Sequence, residues 1–400
     1  MMVASVLFFF FPNAFTYKET VIVVGGLSII CIIYYVVKGK IPKVAFAWTA
    51  LIGALLFALY SITPDWYYAK SAKYESFRLV LVGQTIPGIL CACIVSYLPS
   101  VQIKIKQIAP AVGLIFTLLA FTSSFSPKEI TSGGYANSDG LNYQTISYLA
   151  AYAAGLNYYF ILNRKSFNFG SLFSNNIYSK TAPFLLVLNF LSILIAGGRG
   201  GLVAFVIISA YALYVMIRKG EKDPKRIRKI IGIIVCATII VVIGVRFAMN
   251  SDIKSNGFER IMLTVTTGDT NGRDILREKA IVSFLQAPVF GHGLGSVFYE
   301  IGEYSHNCIT DFLVEIGLIG TIVFVSVFLL TWIKAQRLVK SDCSDSLWTF
   351  FLLYGLTMSL FSGYYFAQIP MIWSIAYILC YKKKDFKSLN YYKNHISQFG

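Results

Sequence analysis

The densest set of chemically able side chains lies between Gly291 and Gly320. Gly291-His292-Gly293-Leu294-Gly295-Ser296 is followed by His306-Asn307, Asp311, Glu315, Gly317 and Gly320. An unperturbed imidazole titrates near pH 6.5, so His306 is the natural side chain to assist proton removal from a hydroxyl, worth about 10²–10⁴-fold in rate. Asp311 and Glu315 stand at the start of a long apolar run. A charge at the centre of a bilayer costs ~2.5–3.5 kcal/mol, so two acids there need a reason. A helix starting near Ser305 puts Asn307, Asp311 and Glu315 four residues apart on one face. That face is expected to open toward a wet surface beside His306, with either acid orienting the imidazole or binding hydroxyls.

Arginines supply a second kind of chemistry. Arg199 sits within Gly197-Gly198-Arg199-Gly200-Gly201, and Arg273 follows Asn271-Gly272 at the start of a predicted helix. A guanidinium is permanently charged and bidentate toward phosphate, and a helix N-terminus adds N–H groups that favour anions. Arg277, one turn further on, is another candidate, and Arg246 and Arg260 rank below it. Plainer roles compete with each of these. Arg199 could anchor a helix end, Arg273 could pair with Asp269 or Glu278, and the acids could cap or bond internally. The glycines around His292 suit tight backbone geometry, and no dinucleotide fingerprint is formed because no β-α-β context surrounds them. Histidines without H-E-x-x-H spacing and cysteines without a C-x-x-C pair give no metal site or disulfide, and no cofactor is expected.

The elements that must carry these groups are membrane helices. The 400 residues are 56% hydrophobic and only 14% charged, which excludes an ordinary soluble domain. Apolar runs fall at about Met2–Phe15, Thr20–Val37, Val44–Ile62, Phe77–Leu98, Gln107–Phe125 and Leu141–Leu162. From Thr181 to Ile217 a single charge, Arg199, interrupts the apolar sequence. That stretch is too long for one crossing, so the glycines at 197–201 must turn it into two. Ile230–Met249, Asn307–Ile333, Leu347–Phe361 and Ala367–Tyr381 complete the set. The predicted fold is an all-α polytopic membrane protein of about 12 transmembrane helices. Residues 1–249 hold the first nine, 250–305 form one long external loop, and 306–400 hold the last three and a basic tail. Within the loop, Leu276, Ala280, Ile281, Phe284 and Leu285 space out a short amphipathic helix over Arg273–Gln286.

The net charge of +16 does not imply nucleic acid, because its placement is topogenic. Of 35 Lys and Arg, 23 fall on one side of the predicted spans and 11 on the other. The richer side is expected to be cytoplasmic and to hold both termini. Arg199, the long loop and His306 then face outward.

Three motifs in order resemble one family. Gly-Arg-Gly between two helices, Asn271-Gly272-Arg273 opening a loop helix, and Gly-x-Gly-x-Gly followed by His-Asn and Glu-x-Gly-x-x-Gly are similar to the O-antigen ligase and polymerase superfamily. Within it the chain looks most like the Wzy-type polymerases of surface polysaccharide. The resemblance implies a metal-independent glycosyltransferase of the bacterial inner membrane. It would move a growing oligosaccharide from polyprenyl diphosphate to the sugar hydroxyl of another lipid-linked repeat unit, with a chain-length regulator and a flippase as partners. An O-antigen ligase, whose acceptor is lipid A core, is the nearest alternative. A 12-helix transporter or lipid-linked glycan flippase is more remote, since no internal repeat is evident. The charge asymmetry makes a prediction: reporter fusions at Thr270 and Ser388 should read opposite sides of the membrane, and the same side from both would refute the span count.

Overall fold

The computed structural model describes residues 26, 29–30, 32–38, 80–124, 143–163, 175–218, 272–365 and 368–381. The runs expected to span at 2–15, 44–62 and 230–249, residues 250–271 and the tail beyond Tyr381 lie outside them. Among the described residues all regular structure is helical. A π-turn at Leu81–Thr85 leads into α1 (Ile86–Val95), then α2 (Pro99–Ser124), α3 (Tyr143–Asn163), α4 (Asn175–Ala196) and α5 (Arg199–Arg218). After these come α6 (Arg273–Gln286), the single turn α7 (Val297–Glu300), α8 (Cys308–Ser341), α9 (Ser346–Phe361) and α10 (Ile369–Cys380). Helices α2, α5 and α8 are long and apolar enough to cross a membrane, and α1, Thr181–Ala196 of α4 and α10 are shorter apolar helices. The chain is a helical membrane protein.

Helix α3 occupies the centre. It packs against α2, α4, α5 and α9 and is buried along nearly its whole length. Protein rather than lipid surrounds it, so it tolerates Asn157, Asn163 and a series of tyrosines. Its small residues Ala150, Ala151, Ala153, Ala154 and Gly155 let neighbours approach closely. Asn157 Nδ2 donates to Thr117 of α2 at 3.0 Å, and Tyr158 donates to Ser209 of α5 at 3.0 Å. Such bonds between membrane helices contribute about 0.6 kcal/mol each on average.

Two ends of the bundle can be told apart by their contacts. At one, Ser124 of α2 reaches the Ser192 carbonyl of α4, Gly198 N–H donates to Ser147 of α3, and Arg273 reaches the end of α9. At the other, Lys106 pairs with Asp345 at 2.5 Å, Asn163 reaches Ser346, and Lys334 donates to the Leu379 carbonyl. Successive helices α2 to α5, and again α8 to α10, therefore alternate in direction. The break expected near Arg199 is present: Gly197 has φ 76°, and the next helix begins at Arg199.

Helix α8 is the chief surprise. The sequence reads as one uninterrupted span, yet Gly317 has φ 63° and ψ −168°, and the helix is broken there. The loop before it fills the gap. His292 and Gly293 N–H groups donate to the Val314 and Glu315 carbonyls at 2.8 Å, while Leu318 N–H donates to the Pro288 carbonyl at 2.9 Å. These bonds satisfy groups that the break would leave bare in an apolar setting. The insertion requires glycine on both strands of contact. A Cβ on Gly317 would lie 2.4 Å from the Val289 oxygen, and one on Gly291 would lie 2.6 Å from the Glu315 oxygen. Past the break, Leu318, Ile319, Ile322 and Val323 are exposed and give the helix an apolar outer face suited to lipid.

Gly317→Ala should therefore destabilise the protein more than Gly302→Ala, whose φ is also positive but whose Cβ would meet open space. The second isolates left-handed strain of about 1–2 kcal/mol, and the first adds displacement of the inserted loop, for a loss above ~3 kcal/mol. Thermal unfolding of both variants in detergent measures the difference. Equal shifts would mean that the loop is not wedged into the break.

Candidate active site

The site is built around the C-terminal turn of α9. The last carbonyls of a helix lack intrahelical partners and carry the negative end of its dipole, so they draw donors and cations. Arg273 Nη1 donates to the Phe361 carbonyl at 2.5 Å. His306 Nδ1 lies 3.2 Å from the Ser362 carbonyl, and the Tyr304 hydroxyl donates to that same oxygen at 3.0 Å. The Ser362 hydroxyl receives a bond from Tyr148 of α3 at 2.9 Å. A carbonyl only accepts, so the bonded Nδ1 of His306 carries the proton and Nε2 keeps the lone pair in the neutral ring.

The residues around His306 fix its place. Asn307 is not on the helical face expected for it; α8 begins at Cys308, and the Asn307 side chain caps it by accepting from Ile309 N–H at 2.9 Å. Asp311 accepts from Ser305 N–H at 2.8 Å, which pins the residue just before His306. His306 itself has φ 59°, the one positive φ outside glycine among the described residues. Non-glycine residues held in this region cost about 1–3 kcal/mol and persist where surrounding contacts impose them. The Tyr304 ring sits 4.4 Å from the imidazole, and burial pushes its phenol up to about 12. It remains a protonated donor at neutral pH.

The acids depart from expectation. Asp311 and Glu315 do not open to a wet surface; both are wholly buried. The orienting partner of His306 is the Ser362 carbonyl, and the carboxylates bond elsewhere. Glu315 accepts from the Tyr364 hydroxyl at 2.7 Å and from Tyr365. His292 ties loop to helix, its Nε2 lying 2.9 Å from the Ser283 carbonyl of α6 and its Nδ1 3.8 Å from Glu300. With Gly291 and Gly293 it belongs to the loop inserted at Gly317. The Gly295 backbone N–H faces Glu315.

Three arginines on two separate stretches reach this end. Arg273 and Arg277, one turn apart on α6, both act electrostatically on His306. The Arg277 Nε is buried with no hydrogen-bond partner among the described residues. Arg199 opens α5, and its neighbour Gly200 abuts the same turn: a Cβ there would fall 1.8 Å from the Tyr148 hydroxyl and 3.2 Å from the Ser362 hydroxyl. Helix α6 spans Arg273–Gln286 as predicted, but only part of its apolar set turns inward. Ala280 is buried and Leu276 and Phe284 are half-buried, while Ile281 and Leu285 are exposed.

Sequence reasoning missed Tyr148, Tyr304, Ser362, Tyr364 and Tyr365. Aromatics near the ends of membrane helices commonly form an interface belt and do not by themselves mark a site. The polar break Ser362-Gly363-Tyr364-Tyr365 in an apolar stretch was the available signal.

Fold and site together define a helical membrane protein whose motif arginines and a histidine gather at one end of the bundle. A protein-family model described as O-Antigen ligase matches residues 184–325. That segment contains Arg199, Arg273, the glycine loop and His306 to Gly320, and it bears out the resemblance to the O-antigen ligase and polymerase superfamily. Members of that family are glycosyltransferase-like enzymes acting on lipid-linked glycans in membranes. No curated protein and no solved structure matches the chain.

Burial, and then the positive charge of Arg273, hold the His306 imidazole below its ordinary value. Its neutral form is thus favoured by the fold; that contribution is present above the unfolded value of about 6.5 and is lost as pH falls from there through the lowered folded value. The acid limb of any activity that needs neutral His306 should lie below pH ~6.5. Arg273→Gln should move it upward. A pH–rate profile of the two proteins measures this, and a limb above 6.5 in the parent would remove His306 as the titrating group.

Proposed function

We propose that the chain is a polysaccharide polymerase of the bacterial inner membrane, transferring a growing glycan from polyprenyl diphosphate to the sugar hydroxyl of a second lipid-linked repeat unit. The observation that carries this reading is the meeting of His306 and Arg273 on the adjacent carbonyls of Ser362 and Phe361. In the reaction the acceptor hydroxyl attacks the anomeric carbon of the donor. The bond from that carbon to the diphosphate oxygen breaks, and the lipid diphosphate leaves with both electrons. Nε2 of His306 takes the hydroxyl proton. The leaving group gains negative charge, so it needs charge stabilisation more than protonation.

The arginines suit that need. Arg273 has five N–H donors and uses one on Phe361, which leaves others for phosphate. The unpartnered Nε of Arg277 offers a further donor. Arg199, whose neighbour Gly200 abuts Tyr148 and Ser362, would complete the set from the start of α5. The site is assigned to the outer face because Lys104, Lys106, Arg218, Lys334, Arg337 and Lys340 all belong to the opposite end of the bundle.

The ligase reading draws support from the description of the matching family model. It differs only in acceptor, and a deletion strain separates the two. Single repeat units on the lipid A core indicate a lost polymerase, whereas loss of all surface polymer indicates a lost ligase. For the site itself, Arg273→Ala should lower turnover by about 10²–10³-fold, the range for removing one preorganised donor to a developing anion. Arg273→Lys should recover only part of this, because lysine lacks the bidentate fork. Polymer formation in membranes carrying matched amounts of each variant is the measurement. Full activity of Arg273→Ala would remove the diphosphate assignment.

A further inference from the structure

Glu315, Tyr364 and Tyr365 take no part in the reaction just described, yet they form a buried polar cluster beside the site. Glu315 is fully buried on the last turn before the break in α8. Its carboxylate accepts from the Tyr364 hydroxyl at 2.7 and 2.9 Å, and also from the Tyr365 hydroxyl. Its carbonyl accepts from Gly293 N–H of the inserted loop. The two tyrosines follow Ser362 by only two and three residues. They are packed by rings from neighbouring segments, Phe298 5.0 Å from Tyr364 and Phe312 4.1 Å from Tyr365. Three parts of the chain, the loop, the broken helix and the turn after α9, thus meet on one residue.

We propose that Glu315 is a positioning residue: with Tyr364 and Tyr365 it clamps the turn whose Phe361 and Ser362 carbonyls hold Arg273 and orient the His306 ring. The physical reason is that the turn follows the end of α9, where no further helical hydrogen bond fixes its carbonyls. A buried carboxyl left without donors is costly, so the pairing holds the turn firmly in one place. A carboxylate with two oxygens can serve several donors at once, which one amide oxygen does less well. Glu315 acts through Ser362 and does not touch substrate. The inference rests on the reading of His306 as the base.

This role predicts an order among variants that a charge-bearing role would reverse. Glutamine keeps an acceptor for the phenols, and the phenols can accept from its amide. Glu315→Gln should therefore retain turnover within about threefold, the loss of part of one neutral hydrogen bond. Glu315→Ala and the double variant Tyr364→Phe with Tyr365→Phe should lose on the order of tenfold to a hundredfold, as misplaced catalytic groups do. In both, His306 loses its carbonyl acceptor and Arg273 its hold on the Phe361 carbonyl, so the His306 titration midpoint should move away from that of the parent. Arg273, Arg277, Glu303 and Tyr304, the other charged or titratable groups facing it, are not substituted in either variant.

The experiment measures polymer formation against pH, and separately the pH dependence of His306 ethoxycarbonylation by diethylpyrocarbonate in the purified full chain, followed by peptide mass. If Glu315→Ala fails to fold, Tyr365→Phe alone carries the same expectation. Glu315→Gln as inactive as Glu315→Ala, with an unmoved His306 midpoint, would overturn the proposal, as would a double phenylalanine variant with parental turnover and midpoint. If no protein makes polymer while the modification midpoint shifts as expected, the clamp stands and the reaction assignment falls.

Discussion

The whole arrangement depends on the exposed carbonyls where α9 ends. Phe361 and Ser362 accept from Arg273, Tyr304 and His306, three residues drawn from α6 and from the segment before α8. A helix C-terminus is a partial negative charge with unfilled acceptors. In an apolar bundle, where water does not compete, such acceptors must be filled by the protein. Here they are filled by the same side chains whose chemistry the site requires. The turn therefore serves both as a cap for α9 and as the template of the site.

A second constraint is the break at Gly317. An unbroken α8 would carry Glu315 along a continuous helix with no room for the glycine loop. The break frees the Val314 and Glu315 carbonyls, and the loop returns two N–H groups to them. Non-helical backbone at this depth is tolerated only where protein satisfies it. The loop in turn brings the Gly295 N–H against Glu315 and leads into the short helix α7 that precedes Tyr304. Loop, break and clamp are one unit, and the tight approach of Gly291 to Gly317 holds it together. The two buried acids are accounted for as well. Asp311 is spent on the Ser305 N–H just before His306, and Glu315 on the phenols of Tyr364 and Tyr365 after α9.

The central helix α3 shows how burial changes what a membrane segment can contain. Its asparagines, serines and tyrosines would be costly against lipid, but protein covers every face. Ser147 and Tyr148 at its first turn use that shelter to hold the Gly198 turn and Ser362. The site is thereby tied to the middle of the bundle rather than to its rim.

The amino-acid sequence by itself determined the helical class, the turn at Gly197–Gly201, the extent of the helix from Arg273 to Gln286 and the short list of groups able to do chemistry. Each follows from local properties: apolar run length, glycine clusters, helical spacing and the rarity of arginine and histidine in such a chain. The break in α8 escaped because hydropathy sees Gly317 as one small residue in a long apolar run, while its left-handed backbone depends on a loop some 25 residues earlier in the chain. The roles of Asp311 and Glu315 escaped for a related reason. Four-residue spacing shows that they share a face, but whether that face meets water or protein is decided by what packs against it. The part played by Phe361 and Ser362 had no side-chain signature at all, since it is carried by backbone carbonyls. Only tertiary structure could bring them to His306 and Arg273, because a carbonyl becomes part of a site through where the chain ends its helix and what then lies beside it.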